Sequence, residues 1–222
     1  LHGYVLAYSQ QSVQDIETID AIYEETIKSV LLYPTQHNDR DAIQQLAQPI
    51  IALHSTQSLL LEFDDLTADF RGFRAKLVHC DAEWKQSMIS EIEYTTSFND
   101  YPVTEYSSSF STKVPYYHYS FEVPKVKLSG NYLLVLFAED TRKVVLTKRF
   151  LVYEDLAKVS ASVNFANGIQ ERNTHQQIDF SINHRGMAVM APQNDLKVVL
   201  RQNFRWDTAK SNFKPTQVNS ND

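Results

Sequence analysis

The sequence predicts an all-β chain: an immunoglobulin-like β-sandwich followed by a second, incomplete β-sandwich domain. Three observations predict it. Apolar and polar residues alternate over about seven short runs between residues 25 and 155, at the spacing of a sandwich. The aromatic content is 12 Tyr and 12 Phe against 2 Trp, a composition that suits pleated, half-buried strands. The alternation stops at Glu154-Asp155 and then restarts, which divides the chain into a lead-in over 1–24, a first domain over 25–155 and a second over 156–222.

The lead-in opens at Leu1 without a methionine, and Leu1 to Gln10 reads equally as the end of a secretory signal or as an arm of the mature chain. Residues 11–24 carry Ile16, Ile19 and Ile22 at a three-residue spacing that predicts a helical turn or two. Ile27 to Tyr33 reads as the first strand, stopped by Pro34, and 35–45 as a polar loop. In Ser58 to Asp64, Leu59, Leu61 and Phe63 share one face while Glu62 and Asp64 share the other. Phe73, Ala75 and Leu77 alternate with Arg74 and Lys76 after a turn at Gly72. Phe98 to Pro115 reads as a loop. Tyr117, Tyr119, Phe121 and Val123 alternate with His118, Ser120 and Glu122, the cleanest two-residue period in the chain. Tyr132 to Ala138 is apolar throughout, as a strand covered on both faces would be. Val144 to Tyr153 follows it across a hairpin turn at Glu139 to Lys143.

In the second domain, Val159 to Phe165, Ile178 to Ile182 and Leu196 to Trp206 predict three or four strands. So few strands cannot close a sandwich, and the expectation is that the natural chain continues beyond Asp222.

Composition and motifs exclude several functions. Lys and Arg number 21 against 27 Asp and Glu, so the net charge is 21 − 27 = −6, which argues against general nucleic-acid binding. No run of about eighteen apolar residues predicts a transmembrane helix. The single cysteine, Cys80, rules out an internal disulfide and a cysteine-cluster zinc site. Nucleophile-elbow, zincin, P-loop and dinucleotide fingerprints are missing, and no cofactor is expected.

His79-Cys80-Asp81, with Glu83 and Trp84 close behind, is the one local constellation with chemistry in it. A metal or nucleophile site would need the side chains to converge, but neighbouring residues on a strand face opposite ways. His79 is expected as a buried, hydrogen-bonded residue and Cys80 as a small packed hydrophobe. Asp64-Asp65 offers a calcium corner, but the chain supplies too few further oxygen ligands at set spacing, and the pair is expected simply to turn the chain. The aromatic stretch Tyr101, Tyr106, Phe110, Tyr116, Tyr117 and Tyr119 suits a protein-contact face or a sugar platform, with inward residues such as Tyr119 expected in the core. Lys197, Arg201 and Arg205 are expected as a basic face on the last strand, opposite Leu196, Leu200 and Phe204.

FDDL (63–66), LVHCDAEW (77–84), YSSSFST (106–112), YYHYSFEVP (116–124), SGNYLL (129–134), KRFLV (148–152) and QNFRWD (202–207) occur in this order. Together they resemble the type IX secretion system plug protein family of Bacteroidetes, from about Tyr23 to the end of the chain. The resemblance implies a non-catalytic periplasmic protein at the inner face of the outer membrane. Its partner would be the large outer-membrane translocon barrel, whose periplasmic mouth it seals while no cargo is in transit. It carries over no catalytic or metal residues. The contact candidates are Tyr101, Tyr106, Phe110, Arg201 and Arg205, and charge reversal at the two arginines is expected to weaken barrel association. His79, Cys80, Asp81, Trp84 and Trp206 are read as structural. The rival function is a carbohydrate-binding β-sandwich module.

Overall fold

The computed structural model describes residues 16–35, 44–168, 170–184 and 186–218. The first ten residues, with the signal question they pose, lie outside the described part. The chain divides between Tyr153 and Glu154 into two compact units.

The first unit is a β-sandwich. One sheet runs β1 (Ala21–Ile22), β10 (Val144–Tyr153), β9 (Gly130–Ala138), β5 (Phe73–Cys80), β6 (Tyr101–Val103), with β3 (Ile50–Ala52) added in parallel along the C-terminal part of β10. The other runs β2 (Ile27–Thr35), β4 (Ser58–Asp65), β8 (Tyr117–Val123), β7 (Glu105–Ser108). Every pairing except β3 with β10 is antiparallel.

The alternating runs explain the core. Leu59, Leu61 and Phe63 lie opposite Val123, Phe121 and Tyr119, and all six are buried between the sheets. Phe63 stacks on Tyr119 at 5.0 Å, and Phe73 of the facing sheet meets both rings edge-on at 5.2 and 4.9 Å. Tyr132, Leu134, Leu136 and Ala138 of β9 join this core, while Leu133, Val135 and Phe137 are buried on the other face of the same strand. The unbroken apolar run of β9 is the composition that burial on two faces requires.

Five expectations are corrected. The lead-in forms no helical turn among the described residues. Ala21–Ile22 pair instead with Leu146 and Thr147 of β10, and the Thr147 hydroxyl donates to the Ile19 carbonyl at 2.8 Å. Pro34 does not stop β2, which runs to Thr35, because β2 is a sheet edge where the missing N–H costs no ladder bond. The polar loop over 35–45 is closed by a short 3-10 turn at Gln44–Leu46, with 36–43 outside the described residues. Residues 98–115 contain the short strands β6 and β7, through which the chain passes from one sheet to the other. A four-residue helix, α1 (Glu91–Tyr94), precedes them, closed by a capping box between Ser90 and Glu93.

The second unit has β11 (Lys158–Phe165) and β12 (Gln176–Asn183) as one antiparallel pair, followed by a helical turn, α2 (Pro192–Asp195). This pair forms a two-stranded sheet rather than the three or four strands expected. The third run is the fifth correction: between Leu196 and Trp206 there is only an isolated bridge from Leu200 to Lys210. Asn203 and Phe204 take φ of +51° and +60°, which breaks an extended run despite its alternating sequence.

Candidate contact surface

The HCD segment ends β5, and its side chains diverge. His79 is buried, its Nδ1 2.8 Å from the Ser87 hydroxyl, its ring edge-on to Tyr132 at 5.0 Å. Cys80 is buried on the opposite face, its thiol pointed toward the Val78 carbonyl. Asp81 lies past the strand and turns the chain: Oδ1 accepts from the N–H groups of Glu83 and Lys85 at 2.8 and 2.9 Å. Among the described residues no group of three His, Cys, Asp or Glu side chains is placed to hold a metal ion.

Burial, and secondarily the Asp81 charge, pushes the Cys80 thiol up to about 11. A raised thiol is protonated at neutral pH and unreactive. Native protein at pH 8 is therefore expected to take up iodoacetamide about 100-fold more slowly than the urea-unfolded chain, from the smaller thiolate fraction alone. Comparable rates in the two states would show an accessible thiolate. The same shift has a sign for stability. The unfolded thiol ionises first, so its contribution is intact below about pH 9 and is lost as pH rises toward 11.

Trp84 takes φ of +64°, and the Arg149 guanidinium lies over its ring at 4.3 Å. Trp84, Val78 and Leu133 line a cleft of about 590 Å³ together with Ile16, Thr18 and Ile19. In the second unit Arg201 lies over Trp206 at 4.1 Å, and Arg205 pairs with Asp207. The expected basic face of Lys197, Arg201 and Arg205 does not form, because the strand that would align them is absent. Trp84 is buried, and Arg201 covers one face of the half-buried Trp206.

The aromatic stretch separates into parts. Tyr101 sits on β6 opposite Ala75, half-buried at the edge of the larger sheet. Tyr106 sits on β7 of the other sheet, 52 % exposed, with Phe70 (50 % exposed) at 4.6 Å and Tyr117 at 6.2 Å. Phe110 is 93 % exposed on the loop that joins β7 to β8. That loop is pinned at its base. Ser109 N–H donates to the Tyr116 carbonyl at 2.8 Å, Tyr116 N–H donates back to the Ser109 hydroxyl at 2.9 Å, and the Thr112 hydroxyl donates to the Val114 carbonyl. Phe70 and Tyr106 therefore form an exposed aromatic pair beside the half-buried Tyr117 at the sheet margin, with Phe110 and Val114 exposed on the braced loop.

Sequence reasoning missed Phe70. It is a lone aromatic between Asp69 and Arg71 in a polar turn, and no period marks it. Its position comes from Tyr119, whose hydroxyl donates to the Arg71 carbonyl at 2.8 Å.

A family model for the type 9 secretion system plug protein 1st domain matches residues 27–154, more than half of the chain. Among solved structures, the chain is similar to the crystal structure of a hypothetical protein from Parabacteroides merdae ATCC 43184, at 29% identity and a TM-score of 0.83. The similarity covers 93% of this chain and 51% of that one, so the chain spans about half the length of its solved relative. No curated protein matches it.

Proposed function

The chain belongs to the type 9 secretion system plug protein family, and from that premise we propose that it is a non-catalytic periplasmic protein that seals the periplasmic opening of the secretion translocon. The observation that carries the reading is the aromatic cluster of Phe70, Tyr106 and Tyr117 at the margin of a closed sandwich. A seal needs a rigid body and a broad contact face rather than a catalytic cavity. Stable contacts of this kind bury roughly 1,200–2,000 Å² and concentrate their energy in a few aromatic and arginine anchors. Rigid aromatic rings supply area at little entropic cost, and two of these three are about half open to solvent. Phe110 on its braced loop and Tyr101 on β6 are further proposed contacts of the first unit; Arg201 and Arg205 are proposed separately as contacts of the second unit.

The test is co-purification from detergent-solubilised native envelopes. The full-length protein is expected to bring down one large outer-membrane barrel. The Phe70→Ala/Tyr106→Ala variant is expected to recover at least about tenfold less, as for loss of two anchor residues, with an unchanged thermal midpoint. Recovery of no barrel by the wild type would overturn the functional reading. Full recovery by the variant would move the contact face elsewhere.

A further inference from the structure

We infer that the outer edge of β7 accepts an extended segment of a partner protein as an added strand, one that presents cationic side chains beside Glu105 and an apolar one beside Tyr106. This goes beyond the sealing role and holds whichever protein supplies the segment.

Among the described residues the sandwich has several sheet edges, and all but one carry features that discourage pairing. β1 is two residues long and β3 three. β6 is three residues with Pro102 at its centre. β2 contains Pro34, and its register breaks between Lys28 and Leu31, where Ser29 takes φ of +51°. β7 has four residues, no proline, no lysine and an unbroken register against Tyr117 to Ser120 of β8. All four of its residues are exposed, and among the described residues no strand pairs with its outer side. In an antiparallel strand, alternate residues point their N–H and C=O groups away from the neighbour, so this edge offers unused backbone partners.

The side chains indicate what fits. Tyr106 lies across from Tyr119 and packs on Phe70, so the inward side of the edge is aromatic. Glu105 and Ser107 lie across from Ser120 and His118 on the outward side. That side also carries the exposed Glu122, with Asp64 and Glu62 behind it on β4; Glu62 is buried, accepts from the Tyr33 hydroxyl at 2.8 Å and lies 3.6 Å from His118. Asp64 is 2.8 Å from His118 Nδ1, and the cation across from it, Lys28, sits on the far strand β2. The exposed carboxylates Glu105 and Glu122 favour a strand with Lys or Arg outward. It disfavours a second copy of this chain, because edge-to-edge pairing would set two Glu105-bearing faces side by side.

The experiment uses the 222-residue chain and two capped seven-residue peptides, one alternating lysine and valine, the other glutamate and valine. Backbone amide shifts and hydrogen exchange are followed by NMR. The lysine peptide is expected to shift and protect the amides of Glu105 to Ser108 and to bind at least about tenfold more tightly than the glutamate peptide. Ser107→Lys, with the remaining spectrum unchanged, is expected to abolish binding of the lysine peptide, and Glu105→Gln to narrow the discrimination. Equal binding of both peptides, perturbation confined to another strand, no response to either peptide, or concentration-dependent self-pairing through β7 would each overturn the proposal.

Discussion

Gly130→Ala is expected to destabilise the first unit by about 2–5 kcal/mol, from a strained backbone and an overfilled site together. Gly130 opens β9 at φ of +151°, a conformation that residues with a Cβ rarely adopt. A Cβ built there would lie 2.5 Å from His79 Nε2. His79 cannot swing clear. Ser87 holds its Nδ1 at 2.8 Å, and Tyr132 and Tyr94 pack against the ring at 5.0 and 5.7 Å. The measurement is urea unfolding of four chains: wild type, each single variant and Gly130→Ala with His79→Ala. Removing the imidazole is expected to leave Gly130→Ala with only the backbone part of its cost, so the coupling should exceed about 1 kcal/mol. Additive effects would mean that the ring yields and the backbone alone carries the penalty.

This pair also indicates how far the sequence was legible. That His79 and Cys80 face opposite ways follows from the two-residue period of β5, and the structure places them so. That Gly130 sits against His79, about fifty residues away, is a matter of sheet register and is written in no local pattern. The same division runs through the fold. Leu59 to Phe63, Tyr119 to Val123 and the unbroken run of β9 are long enough for the period to specify strand and buried face. β3, β6 and β7 have three or four residues, too few to show a period, and exist because a neighbouring strand offers hydrogen bonds. Leu196 to Trp206 shows the converse. The alternation is present, but positive φ at Asn203 and Phe204 turns the chain before a ladder forms. In the candidate contact surface, Tyr106 and Phe110 are visible as aromatics in a polar stretch, whereas Phe70 is brought to Tyr106 through the tertiary bond between Tyr119 and the Arg71 backbone.

Arg71→Ala is expected to cost about 3 kcal/mol, because it strands a buried charge. The Asp65 side chain is fully buried at the end of β4, and Arg71 Nη1 lies 3.3 Å from its Oδ2. The other Asp65 oxygen has no hydrogen-bond partner among the described residues, so the guanidinium is the group that compensates this carboxylate. Arg71 Nη2 also meets Glu24 at 2.9 Å, but Glu24 is 28% exposed, and Glu24→Gln is expected to cost less than about 1 kcal/mol. Adding Asp65→Asn to Arg71→Ala should recover much of the loss, since a neutral amide needs no counter-charge. A single-variant cost as small as that of Glu24→Gln would show that Asp65 does not depend on the arginine. The clamp bears on the proposed contact face through its neighbour. Arg71 follows Phe70 directly, and its own N–H and carbonyl both engage the Tyr119 hydroxyl, at 3.3 and 2.8 Å. Those bonds and the two carboxylates fix the turn that presents Phe70 to Tyr106. Losing the guanidinium should therefore loosen the aromatic cluster as well as the fold, and weaken partner capture at temperatures where the variant is still folded. Glu24→Gln, which leaves Asp65 paired, should capture the partner as the wild type does.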